Sequence, residues 1–162
     1  MIDEPEACLD EATGPAEGRR DEAAGPAEAR EPRAGGLAAA DRSLADALPQ
    51  IIWVSDLEGR LVHLNRRWFE YTGQAPGERL DWSPSVHPDD LPAVQLLWAR
   101  AHGAGEGCES HYRLRRADGA YRWFLGRVEP SRDEGGKIVR WVGTATDVDD
   151  RKRLEAERDA LL

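Results

Sequence analysis

Three long apolar-rich segments, about 108–116, 120–131 and 137–147, constrain this chain more than anything else in it. They are parted only by "ADG" and "DEGG". Turns this short containing Asp-Gly or Gly-Gly are strong hairpin signals, so the three segments predict consecutive antiparallel strands. The middle one, "AYRWFLGRVEP", alternates imperfectly. Tyr121, Trp123 and Leu125 share one side, and Phe124 and Val128 share the other. In "KIVRWVGTAT", Ile138 and Val142 oppose Val139 and Trp141. Apolar side chains therefore point to both faces, and both faces need cover. The chain's own helices supply one roof. An uncovered second face marks an interaction surface, for which the candidates are a helix at 37–48 and a second copy of the domain.

The elements upstream are shorter. "GLAAADRSLADALPQ" predicts a helix over 37–48, with Leu37, Leu44 and Leu48 near one face and Pro49 as its stop. "IIWVSD" and "RLVHLN" read as strands joined at "LEG". Asn65 is placed to cap the helix "RRWFEYTG", and Gly73 to end it in a left-handed conformation. "QAPGERLDWSP" is irregular, with room for one helical turn. "VHPDDLPAVQLLWARAHGAG" carries the longest internal helix, with Val94, Leu97, Trp98 and Ala101 at helical spacing. Two strands, short helices, one longer helix and three strands make an α+β fold: a five-stranded antiparallel sheet with helices on one face.

Charge and composition narrow the function. The net charge is −9, and residues 1–36 hold ten acids against four arginines. Apart from alanine, that stretch offers only Ile2, Cys8 and Leu9 to bury, so it is expected to be a disordered, acidic, low-complexity tail. The basic run Arg151-Lys152-Arg153 is interleaved with acids, which argues against nucleic-acid binding. Cys8 and Cys108 match no zinc or redox spacing, as expected of a reduced, cytoplasmic protein. The N-terminus has neither the basic nor the apolar region of a signal peptide, and no apolar run approaches a membrane span.

Four pieces in order resemble a PAS domain with its PAC region. They are "WVSDLEGRLVHLNRRWFEYTG", "VHPDDLPAVQLLW", "HYRLRRADGAYRWFLGRVEPSRDEGG" and "KIVRWVGTATDVDDRK". The resemblance implies a sensory and dimerising module over 49–148, of the kind attached to bacterial histidine kinases, cyclic-di-nucleotide enzymes or transcription regulators. It also implies a partner: an output domain or kinase. Two positions depart from the family pattern. Asp149 stands where the exit motif usually carries threonine, and His111 where a glutamate often precedes "YR".

The candidate chemistry is that of a binding module rather than an enzyme. No nucleophile triad, phosphate-cradling loop or carboxylate pair is spaced for catalysis. His87, Asp89 and Asp90 suit the positive end of the following helix better than a metal. Trp53, Asn65, Trp68, Trp98, Tyr112 and Trp123 are the candidate pocket-lining residues. No cofactor is required. Haem, within the resemblance, would need a histidine in the long helix, whose body instead offers Leu97 and Trp98 with His102 only near its end. Covalent flavin photochemistry would need a cysteine in that helix region, and Cys108 lies beyond it. A noncovalent flavin or a small organic ligand stays open.

The exit completes the reading. After Val148 the last strand runs into a charged helix over 149–162, with Asp149–Arg153, Arg151–Glu155 and Arg153–Glu157 spaced i,i+4. Leu154 and Leu161 could start a coiled-coil seam. Asp147, Asp149 and Arg151 are the candidate signal-relay joint, with Asp149 expected to cap the helix.

Overall fold

The structure, a computed structural model, describes residues 37–77 and 79–162. The disorder expected over 1–36 lies outside the described residues. The order is α1 (Ala39–Ala47), β1 (Ile51–Ser55), β2 (Leu61–Leu64), α2 (Arg66–Thr72), a 3₁₀ turn (Ser83–Ser85), α3 (Leu91–Ala104), β3 (Cys108–Arg115), β4 (Tyr121–Arg132), β5 (Ile138–Asp147) and α4 (Asp149–Ala160). The five strands form one sheet in the order β2-β1-β5-β4-β3, and every neighbouring pair is antiparallel. The α+β expectation and the three hairpin-linked strands are both borne out.

Strand alternation sets the two faces. The register Ile51↔Ala145, Trp53↔Gly143 and Trp53↔Leu64 puts these residues together on the inner face. β4 adds Phe124 and Val128, and β3 adds Tyr112 and Leu114. Trp68 of α2, with Val86, joins Ile51, Leu64, Leu114, Phe124 and Ala145 in the core. α3 roofs the other half through aromatic rings. Trp98 lies 4.9 Å from Trp53 and 5.9 Å from Trp141, and His102 stacks on Trp141 at 4.6 Å.

Two glycines bring the rings onto the sheet. A Cβ at Gly143 would fall inside the Trp53 indole, and one at Gly126 would sit 2.7 Å from the Tyr112 hydroxyl. Both glycines leave a bare patch of backbone on which a ring from the neighbouring strand can lie flat. Gly73 ends α2 with φ of +75°, the left-handed end expected of it.

The free edge of β3 is covered by the segment before α3. Val86 bridges Leu114, the His87 amide donates to Arg113 O, and the Asp90 carboxylate accepts the Arg113 amide at 2.9 Å. An exposed strand edge invites foreign pairing, and this cover satisfies the edge at Arg113 and Leu114. His87 and Asp90 thus act structurally, but not as helix caps. No side chain caps α3, although Pro92 does occupy its first turn.

The outer face is less apolar than expected. Ile52 and Val54 are buried there, and Trp123, Leu125 and Val142 are half-buried. Arg127 and Glu109 form an ion pair across β3 and β4, adding charge to the same face. α1 returns over the β1–β2 end, where Asn65 Nδ2 donates to Ala45 O at 2.9 Å and Asp46 accepts the Arg66 amide at 2.7 Å. Its contact residue is Ala45, not the leucines: Leu44 and Leu48 are 64% and 41% exposed. Ala45 is buried where the α1 backbone meets Asn65.

Candidate functional site

Between the inner face and α3 lies a cavity of about 60 Å³. Its walls include Trp53, Trp68, Trp98 and Tyr112. β1 and β3 present the first and last from the sheet, and α2 and α3 present the other two from above. Trp82, Val94 and Leu97 complete the roof, with Cys108 and Ser110 at one end. Trp68 is anchored by its Nε1 donating to Gln74 Oε1 at 2.7 Å. Burial, with a smaller push from Glu129, raises the Cys108 thiol above its ordinary value, so it stays protonated and weakly nucleophilic.

Two candidate pocket residues are placed elsewhere. Asn65 is fully buried and faces α1 and β1. Its Oδ1 accepts the Ile52 amide at 2.9 Å, and its Nδ2 donates to Ala45 O and Gln50 O at 2.9 and 2.8 Å. It occupies the N-cap position of α2 but makes no side-chain cap bond, because its amide is spent on this junction. Trp123 follows the alternation of β4 to the outer face, opposite Phe124. There it receives two cations, with Arg113 Cζ 5.0 Å and Lys152 Nζ 4.6 Å from its ring centroid.

The exit joint is built around Asp149, which is buried. Its Oδ1 accepts the Trp123 amide at 3.1 Å, and Arg153 Nε approaches Oδ2 at 2.7 Å, off the line of the N–H. Burial works against the charged form, but the Trp123 amide, Arg153 and Arg122 outweigh it and hold the carboxyl below its usual range. Asp149 is therefore not the helix cap expected of it. The Asp149 amide instead donates to Asp147 Oδ1 at 3.0 Å, and Val148 N donates to Trp123 O at 2.8 Å. Arg122 gathers the joint from β4, 2.7 Å from Asp147 and 3.1 Å from Asp150. Arg151 lies outside this cluster, exposed and 3.7 Å from Glu155. Arg122, Lys152 and Trp123 are the joint residues that the sequence reading missed. Their partners lie 25 or more positions away, beyond the reach of local spacing.

These features define the class: a small sheet with an aromatic cavity on one face and a helix fastened to the end of its last strand. A family model for the PAS fold matches residues 61–145, and the chain belongs to that family. It is a PAS sensory domain, related in sequence to segments of histidine kinases. It is 42% identical over 115 residues to the uncharacterised protein y4lL of Sinorhizobium fredii, covering 70% of this chain and 14% of that one. It is 35% identical over 116 residues to the peroxide stress-activated histidine kinase mak1 of Schizosaccharomyces pombe, covering 70% and 7%. The chain thus spans only a small part of the curated relatives it matches. Among solved structures, the N-terminal domain of a diguanylate cyclase with PAS/PAC sensor from Marinobacter aquaeolei superposes with a TM-score of 0.56. That match has 22% identity and covers 64% of this chain and 98% of that one. An RNA-binding light-oxygen-voltage receptor superposes at 0.58, with 23% identity over 74% and 35%.

The cavity as it stands does not fit the noncovalent flavin that the sequence leaves open. Pockets for drug-sized ligands hold about 300–1,000 Å³. The 60 Å³ here is bounded by indole rings packed on the sheet, so a tricyclic ring system would have to displace Trp53 or Trp98.

Proposed function

We propose that this chain is a non-catalytic sensory and dimerisation module that passes a signal through α4 to an output domain, in a histidine-kinase-type system. Residues 49–148 are the sensor, 37–48 a flanking helix and 149–162 the linker to the output. A cytoplasmic location is consistent with this role. The observation that carries the reading is the fastening of α4. Asp149, Asp147 and Arg122 join the first turn of the helix to the backbone and side chains of β4, so a shift in β4 must move the helix. The likeness to the two fission-yeast kinases supports the choice of output. Leu154 on α4 and Leu161 just past it, with Leu44 on α1 and Leu48 just past it, are exposed apolar groups that a second copy would bury, which supports a homodimer.

The test is a fusion of the full chain to a histidine kinase core, with one to seven residues inserted after Leu161. A rigid helical relay makes kinase output rise and fall with the turn of the helix, about every 3.6 residues. Output independent of insert length rejects the relay. Light scattering of the full chain tests the dimer, and a monomer at high micromolar concentration rejects that part.

The cavity favours a second reading, a receptor for a small ligand, which differs in making occupancy rather than pairing the primary event.

A further inference from the structure

The walls of the cavity specify what it can take. Arg127 is the one charged residue among the lining residues, and its guanidinium pairs with Glu109 on the opposite face of the sheet. An anion or cation inside would be unpaired in a medium of low dielectric, at a cost that excludes it. Water finds partners at the β3 end alone, since a buried water needs two to four of them and the other walls are chiefly indole and aliphatic. Yet the floor is not wholly apolar. Tyr112 and Ser110 stand two residues apart on the inner face of β3, and neither hydroxyl has a hydrogen-bond partner among the described residues. The Tyr112 ring lies over Gly126, itself a lining residue. Burial alone pushes the phenol well above its ordinary value, so it stays protonated and is able to donate. A hydroxyl in the cavity wall with no protein partner is free to hydrogen-bond a ligand oxygen.

We propose that this cavity binds a small neutral organic molecule of about four to six heavy atoms, with an apolar body and one carbonyl or hydroxyl oxygen held by Tyr112 Oη. The size follows from about 10–15 Å³ for each water-sized sphere. The apolar body contacts Trp53, Trp98 and Leu97, and the oxygen meets the hydroxyls on β3. The proposal rests on the sensory reading above and supplies the chemistry of its stimulus.

The test uses the full chain and three probes: butan-2-one, butyrate and xenon. Butan-2-one should bind saturably and shift the amide resonances of Tyr112 and Gly126, while butyrate at the same concentration should not. Tyr112→Phe should weaken butan-2-one about five- to tenfold, the loss expected of one hydrogen bond, and leave xenon binding unchanged. Xenon binding to both proteins also shows that the variant keeps its cavity. Equal binding of butan-2-one and butyrate, or an unchanged butan-2-one affinity in Tyr112→Phe, overturns the proposal. So does the failure of both butan-2-one and xenon to bind. The helix-insertion series on α4 is read separately, so a closed cavity and a missing relay give different results.

Discussion

Asp90 grips Arg113 from three directions: its Oδ2 accepts the backbone amide and Nε, both at 2.9 Å, and its Oδ1 accepts Nη2 at 2.8 Å. The same guanidinium reaches round the edge of β3 to the Trp123 ring, where Lys152 of α4 also sits. One carboxylate thus connects the start of the cavity roof to the exit helix through a strand edge and an indole. Asp90→Asn keeps the size but loses the charge, and should lower the melting temperature by roughly 5 °C. It should also raise amide exchange at Arg113 and in the first turn of α4. Exchange confined to Arg113, with α4 unchanged, would show that the contact is local.

Asn65→Ala takes a partner from three backbone groups in a buried junction, Ile52 N–H, Gln50 C=O and Ala45 C=O, of which the last keeps the Leu48 amide at 3.3 Å. Unsatisfied buried groups cost about 1–3 kcal/mol each, and some regain water when α1 lifts. The expected loss is about 3 kcal/mol of stability in urea titrations, with α1 becoming sensitive to protease. Asn65→Asp keeps the acceptor for Ile52 but loses the two donated bonds, and should fall between wild type and alanine.

How much of this was written in the sequence depends on distance along the chain. The β3–β4–β5 meander was readable because period-two patterning and Asp-Gly turns are local signals. The inward set Phe124 and Val128 was readable for the same reason. That alternation also places Trp123 on the far side, so its choice as a pocket residue went against the strand's own pattern. Asn65 looked like a cap because caps are judged by the next three residues, while its partner Ala45 lies 20 positions back. The leucines of α1 outweighed Ala45 in a reading by hydrophobicity, but a tight backbone contact selects for small size. Arg113 and Arg122 could not be assigned at all, since their carboxylates are 23 and 25 positions away.

Gly143→Ala tests the seating of Trp53. The β-carbon would overlap the indole, and the ring must leave the sheet or the strands must separate. Overpacking of this kind costs about 1–3 kcal/mol. Stability should fall by about 2 kcal/mol, and the tryptophan emission should shift as the Trp53–Trp98 contact opens. Thr144→Ala, one residue on and facing the outer side, should leave the emission unchanged.

Asp149→Ala removes the acceptor of the Trp123 amide and a neighbour of Arg153. The Trp123 amide should exchange more than tenfold faster, because it then loses its acceptor, although Arg122 still ties β4 to Asp150 of α4. Asp149→Asn keeps an oxygen for that amide, so its exchange should stay near wild type. If both variants leave exchange untouched, Val148 N–H to Trp123 O is sufficient to hold the joint.

Stability should fall as the pH drops below about 6.5, and two histidines give the sign. His102 stacks on Trp141 and lies edge-on to Trp98 at 4.8 Å, with its Nε2 buried and unpartnered among the described residues. Burial lowers its pKa from 6.5, and Asp56 only partly opposes this. His63, between Val54 and α1, is lowered by burial too, with Asp46 opposing and Arg42 adding to the effect. The unfolded chain takes protons on these side chains near pH 6.5, while the folded chain keeps them neutral to a lower pH. Below 6.5 the unfolded state therefore binds more protons, and the folded state loses ground until its own histidines titrate. Above 6.5 this contribution is fully present. Asp90 and Asp149, both held below the usual carboxylate range, add a separate loss that begins only near pH 4. Urea midpoints measured from pH 7.5 to 5.0 should decline below 6.5, and His102→Phe, which keeps an aromatic ring against Trp141, should flatten that decline. A midpoint that rises on acidification would mean that a carboxylate stabilises the charged imidazole, and neither ring has one within 4 Å among the described residues.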